Sequence, residues 1–207
     1  MPSLPLLLTL LDYAGVAVFA ATGALAAARR GHDPVTFGFF AAVTGVGGGT
    51  LRDLLLGAPV FWINQPAYIA MTIAAALLIW TAGQKAAERG SALLWLDALG
   101  LAAYAVLGAD KALLLGAPPL TAIVMGVLTA AFGGIIRDVL AHEPSVLLRR
   151  EIYITAALAG AAVFVLLKLA GAPEILAPAA GFAVALALRA GALARGWSLP
   201  GWPGGKV

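Results

Sequence analysis

Residues 44–53 read Thr44-Gly-Val-Gly-Gly-Gly-Thr-Leu-Arg-Asp53, and residues 129–138 read Thr129-Ala-Ala-Phe-Gly-Gly-Ile-Ile-Arg-Asp138. A shift of 85 residues lays one stretch on the other, and the match runs well beyond them. Asp12 falls on Asp97, Gly23 on Gly108, Gly31 on Gly116, Pro34 on Pro119, Pro59 on Pro144 and Tyr68 on Tyr153. Between 11–70 and 96–155 the ungapped alignment holds 20 identities in 60 positions, with Gly, Pro, Asp and Arg prominent among them. Alanine and leucine match by chance in an apolar chain; these residues do not. The chain contains an internal repeat.

The surroundings of the repeat are apolar. Of 207 residues, 62% are hydrophobic and 11% charged, with a mean hydropathy of +0.97. A soluble domain carries about a quarter charged residues. Seven membrane-spanning helices use about 140 residues and leave about 67 for loops. Composition therefore predicts an all-α integral membrane protein without a soluble domain. Apolar runs between breakers predict helices near 4–28, 35–56, 66–83, 92–115, 119–141, 151–169 and 174–194. Residues 1–194 form a single membrane domain: repeat one over about 4–83, repeat two over about 92–169, then a seventh helix. Residues 195–207 form a tail. Met1-Pro-Ser-Leu-Pro-Leu6 lacks the basic region of a signal peptide, so the first run is expected to be retained.

Each repeat holds three helices, an odd number, so the second copy enters the membrane inverted relative to the first. Ligand and ion paths commonly lie between inverted repeats; the alternative is duplication for packing alone. Seven spans place the termini on opposite sides. Arg52, Lys111 and Lys168 fall on the N-terminal side. Arg29, Arg30, Lys85, Arg89, Arg137, Arg149, Arg150, Arg189, Arg195 and Lys206 fall on the other. The positive-inside bias then sets the N-terminus outside and the C-terminus in the cytoplasm.

The glycines admit two readings. Adjacent glycines weaken a helix by about 1 kcal/mol each, so a run of three bends or unwinds it and frees carbonyls beside a wet cavity. Gly45 and Gly49 also form G-x-x-x-G, which lets helices approach closely. The Arg-Asp pairs favour a functional reading, since a charge at the membrane centre costs about 3 kcal/mol and faces a partner or water. Arg52 and Asp53, like Arg137 and Asp138, are adjacent and do not share a helix face, so each is expected to bond another helix or freed backbone. At the interface they would be anchors instead. Asp12 and Asp97 are candidate partners for the arginines. Lys111, with Asp110, replaces Leu25-Ala26 of the first repeat. It reads as a gate or selectivity charge, or as a side chain reaching the interface.

Other chemistries find no apparatus. Cysteine is absent, and His32 and His142 stand alone beside turns. None of the four serines lies in G-x-S-x-G, and GVGGGT lacks the spacing of a dinucleotide fingerprint. The basic residues are not interleaved with aromatics, so nucleic acid is not an expected partner. TGVGGGT resembles a potassium filter only weakly, because TAAFGGI does not repeat it.

Two three-helix repeats, each with a glycine-rich second helix running into Arg-Asp (GGGTLRD and FGGIIRD), plus a seventh helix resemble the trimeric intracellular cation (TRIC) channel family, prokaryotic branch. The resemblance covers about 190 residues. It implies a homotrimer in the cell inner membrane, each subunit with its own pore. Helices two and five would be kinked at the glycines and line a path for monovalent cations, chiefly potassium, with K+ or Na+ as permeant ion and no cofactor. Carried over, Gly47, Gly48, Gly49, Gly133 and Gly134 are the kinks, with Thr44 and Thr129 beside them. Arg52, Asp53, Arg137 and Asp138 fix the kinked halves and charge the pore, and Lys111 is the gating residue. Phe132 departs from the motif, and the Lys-Glu-Val signature of the animal channels is missing. Relatives with this doubled domain are also described as glycine transporters. A secondary transporter of a small solute is thus the alternative, and a lipid-organising protein without flux a third.

Overall fold

The computed structural model describes residues 4–82, 90–148 and 151–200, and the side chains of 4–8, 90 and 148 lie outside that description. Lys85, Arg89, Arg149, Arg150, Lys206 and the end of the tail, all used above, lie outside the described residues. The helices are α1 (Leu4–Arg29), α2 (Pro34–Leu55), α3 (Phe61–Asn64), α4 (Ala67–Ala82), α5 (Gly90–Leu114), α6 (Pro119–Leu140), α7 (Ile154–Leu169) and α8 (Leu176–Arg195). A single 3-10 turn covers Val146–Leu148. α1, α2, α5, α6 and α8 are long and apolar enough to cross a membrane. α4 and α7 are apolar and have 16 residues each, or about 24 Å of helix.

Local chemistry sets the ends. Asp33 caps α2: its Oδ1 accepts from the N–H groups of Val35 and Thr36 at 2.9 and 3.0 Å, and Pro34 follows as the first helical residue. The Thr36 hydroxyl, 2.7 Å from Oδ2, holds the Asp33 carboxyl below its usual pKa. Pro119 is likewise the first residue of α6, there without a side-chain cap. α2 and α6 also end alike. The amide of Ala58 reaches the carbonyl of Asp53, and that of Glu143 reaches Asp138, both at 2.9 Å. These bonds require a left-handed residue just before. Gly57 supplies it with φ 64° in the first half; in the second His142 does so with φ 52°.

Within the first half α1, α2 and α4 pack on one another, and α5, α6 and α7 do the same in the second. The halves meet where α2 crosses α6 and α1 crosses α5. Small side chains make this possible: Ala20, Ala24, Ala98, Ala102 and Ala109 are fully buried. With lipid outside, close backbone approach takes over from the hydrophobic effect as the source of helix association. α8 lies against α7 and α5. The chain after it turns back: Trp197 covers Gly191, and Ser198 bridges to Glu151.

Candidate permeation site

The glycine stretches meet face to face where α2 crosses α6. A methyl group built on Gly48 would collide with the carbonyl oxygen of Thr129, and one on Gly133 would collide with that of Thr44. These contacts are reciprocal under the 85-residue shift. Gly23 and Gly108 repeat the pattern one layer out, where a Cβ would lie 2.6 Å from the hydroxyl of Thr44 or Thr129. Gly49 makes room for the Phe61 ring, and Gly134 for the Tyr153 hydroxyl beside Asp97 and Arg137. Gly47 is half-buried and faces Ile136. Both helices remain α-helical throughout, so of bending and unwinding, unwinding does not occur. Close approach is the visible use of these glycines.

The Arg-Asp neighbours bond one another, which their adjacency on the helix was not expected to allow, and also reach other helices and backbone. Arg52 Nε and Nη2 both lie 2.8 Å from Oδ1 of the neighbouring Asp53. Arg137 Nε and Nη2 lie 3.0 and 2.9 Å from Oδ1 of Asp138. Adjacent residues leave a helix about 100° apart, but the long arginine stem bends back around the last turn and bridges that angle. The second oxygen ties down the following loop. Asp53 Oδ2 accepts from the Phe61 amide at 3.0 Å, and Asp138 Oδ2 from the Val146 amide at 3.1 Å. All four charged residues are buried, so they face protein and not the outside of the bundle. Each pair clamps the end of its glycine helix to the chain eight residues on.

Beyond this shared frame the halves differ. Arg137 also bonds Asp97 of α5 at 2.6 Å and the Thr22 hydroxyl of α1 at 3.0 Å. Arg52 makes no ion pair with Asp12, the residue that corresponds to Asp97. Asp12 accepts instead from the Tyr68 hydroxyl at 2.6 Å, and its backbone carbonyl accepts from Tyr104 at 3.1 Å. The expected Asp–Arg pairing therefore forms in the second half only. In the first half the extra partner comes from Lys111, whose Nζ lies 2.8 Å from Asp53 Oδ1 and 5.8 Å from the centre of the Phe61 ring. Asp53 is fully buried and holds two cations. Lys111 thus bonds across the halves.

A cavity of about 10 Å³ lies between the halves, lined by Asp12, Thr44, Gly48, Arg52, Thr129 and Gly133 among others. That is room for about one water. The Thr129 hydroxyl is satisfied by the Met125 carbonyl at 2.6 Å, whereas that of Thr44 is buried and unpartnered. The Phe19 and Tyr104 rings, again 85 residues apart, stack at 5.6 Å on one side of the cavity.

Several residues here were not singled out from sequence. Tyr68 and Tyr153 recur in the repeat, and that signal marks two polar positions: the Tyr68 hydroxyl bonds Asp12, and the Tyr153 hydroxyl is buried against Gly134 beside Asp97 and Arg137 without a hydrogen-bond partner among the described residues. Phe61 and Thr22 carry no such mark. Arg189, counted above only as an orientation charge, is fully buried and bonds Glu151 at 2.8 Å.

Fold and site together describe an all-helical membrane protein in which glycine stretches and buried charges meet where α2 crosses α6. A family model described as "Glycine transporter" matches twice, at residues 9–84 and 94–168, with starts again 85 residues apart. The chain belongs to that family. A UPF0126 membrane protein of Vibrio cholerae is 41% identical over 203 residues, covering 94% of this chain and 82% of the relative. The UPF0126 inner membrane protein YadS of Escherichia coli is 42% identical over 152 residues, covering 72% and 73%. Among solved structures, a TRIC trimeric intracellular cation channel orthologue from Rhodobacter sphaeroides is 52% identical, with a TM-score of 0.89 over 92% of this chain and 99% of that one. The resemblance drawn from GGGTLRD and FGGIIRD is thus to a true relative.

Proposed function

We propose that this protein is a cation channel passing monovalent ions, chiefly potassium, along a path between its two halves. The observation that carries the reading is the cavity where Thr44, Gly48, Thr129 and Gly133 meet, with Asp12 and Arg52 on its wall. With room for about one water, this is a closed path. Opening requires α2 and α6 to separate or bend at Gly47, Gly48, Gly49, Gly133 and Gly134. A glycine-weakened helix allows such a bend at low cost. Seven spans, inverted halves, an outside N-terminus and a cytoplasmic C-terminus complete the reading; five helices long and apolar enough to cross, two shorter apolar helices and the distribution of Lys and Arg support it. The Rhodobacter sphaeroides relative, described as a trimeric cation channel, supports a homotrimer with one pore per subunit. The inner membrane placement of YadS supports the same location here.

The "Glycine transporter" description favours a second reading, a carrier of a small solute that alternates about the same interface. Purified protein in a planar bilayer separates the two. Unitary potassium currents are expected. Saturable glycine exchange without unitary currents would overturn the channel.

A further inference from the structure

A second cavity, of about 260 Å³, lies far from the crossing of α2 and α6. Three helices enclose it. Leu107 and Asp110 come from α5, Phe164 and Lys168 from α7, Glu174 from the turn before α8 and Ala177 from its first turn. Most of its lining is apolar, and Asp110, Lys168 and Glu174 are its charged residues. Lys168 forms an ion pair with Asp110, and its ammonium also sits 5.4 Å from the centre of the Phe164 ring. Glu174 is exposed and has no ion-pair or hydrogen-bond partner among the described residues. In the first half Leu25 and Gly83 stand at the sequence positions that match Asp110 and Lys168.

The geometry points to a binding site for one zwitterionic aminophospholipid, with an acyl chain in the cleft and the headgroup on Lys168, Asp110 and Glu174. An apolar cleft in a membrane-embedded bundle is filled by hydrocarbon rather than water, because water there finds too few polar partners. The charged residues add the choice of headgroup. One cation and two carboxylates match a phosphate beside Lys168 and an ammonium beside Glu174 and Asp110. An anionic headgroup without an amine meets the two carboxylates unfavourably. The site also has a route to the gate. Asp110 and Lys111 are consecutive on α5: the first faces this cleft, and the second bonds Asp53 at the end of α2. A headgroup that competes for Asp110 therefore acts one residue from the contact between the halves.

The inference rests on the chain being a membrane-embedded bundle and stands whether it conducts ions or carries a solute. Native mass spectrometry of the purified protein, titrated with phosphatidylethanolamine or phosphatidylglycerol, tests it without a flux measurement. Wild type is expected to retain phosphatidylethanolamine in preference to phosphatidylglycerol. Glu174→Gln with Asp110→Asn should weaken that retention about tenfold, as loss of charge-assisted contacts does. Ala177→Phe, which fills the cleft, should abolish it. The double variant alters only the charged residues, so it decides the question even if the filled variant misfolds. Equal retention of both lipids, no change in the double variant, or an altered oligomer mass in place of an altered lipid count would overturn the proposal. The last outcome would show a second copy of the chain on this face.

Discussion

The Lys111 ammonium on α5 stands 2.8 Å from Oδ1 of Asp53 on α2, so one salt bridge joins the second half to the clamp that ends the first half's glycine helix. The corresponding residue in the first half is Ala26, which makes no such bond. Asp53 also receives Arg52 and the Phe61 amide. Lys111 therefore ties the end of α2 and its following loop to α5, which packs against α6. If α2 and α6 separate on opening, this is a contact to be lost.

Lys111→Met should accordingly favour the open state. The lysine side chain is about a third exposed (32%), so the pair is worth about 1 kcal/mol, or about a fivefold shift toward open. Single-channel open probability reads this directly. Lys111→Arg keeps the charge and should stay near wild type. An unchanged open probability in Lys111→Met would leave the lysine a passive tether.

The two repeated aspartates should differ in what they contribute to stability. Arg137 is buried between Asp97, Asp138 and Thr22, and removing a charge from such a cluster costs about 3–5 kcal/mol. Asp12 accepts a single side-chain hydrogen bond, from Tyr68, for which about 1 kcal/mol is typical. Asp97→Asn should therefore lower the unfolding midpoint in detergent far more than Asp12→Asn. Equal losses would mean that the Asp97–Arg137 bond adds nothing to the neighbouring pair.

The glycines offer a test in which packing and flexibility predict opposite signs. An alanine at Gly48 or Gly133 meets a carbonyl oxygen of the facing helix, whereas one at Gly38, also in α2, meets nothing within 4 Å. Gly48→Ala and Gly133→Ala should each destabilise by about 1–3 kcal/mol through overpacking. Gly38→Ala should stabilise by up to about 1 kcal/mol through helix propensity. Melting curves of the three variants compare them. Stabilisation by all three would show that Gly48 and Gly133 are only weak points in their helices.

Helix positions were legible because lipid-facing runs are long and the breakers Gly31, Gly57, Gly116 and Gly171 sit at their ends with positive φ. The recurrence of Thr44, Gly48, Arg52 and Asp53 as Thr129, Gly133, Arg137 and Asp138 pointed to the contact between α2 and α6, where Gly48 meets Thr129 and Gly133 meets Thr44. Partner choice was not legible. The sequence places Asp12 and Asp97 identically, yet only Asp97 reaches its arginine; a carboxylate within reach of both a tyrosine and an arginine is assigned by sub-ångström packing. The bond between Arg52 and Asp53 was missed for a simpler reason. Helix-face reasoning treats side chains as short spokes, and arginine is long enough to turn the corner. The short α3 helix left no periodic trace because four residues complete barely one turn.

His142 offers the converse of the glycine test. It occupies a left-handed position, φ 52°, at the end of α6, where Gly57 performs the same turn after α2. A side chain in that conformation costs about 1–2 kcal/mol relative to glycine, partly offset because histidine tolerates it better than most residues. The bonds at this turn use only the backbone groups of His142: its amide donates to the Val139 carbonyl, and its carbonyl accepts from the Arg30 guanidinium at 3.3 Å. Glycine preserves both. His142→Gly should therefore raise stability by about 1 kcal/mol, less what a freer unfolded chain gives back. Gly57→His should lower it by a similar amount. Unfolding midpoints that leave His142→Gly at or below wild type would show that the imidazole makes a compensating contact of its own.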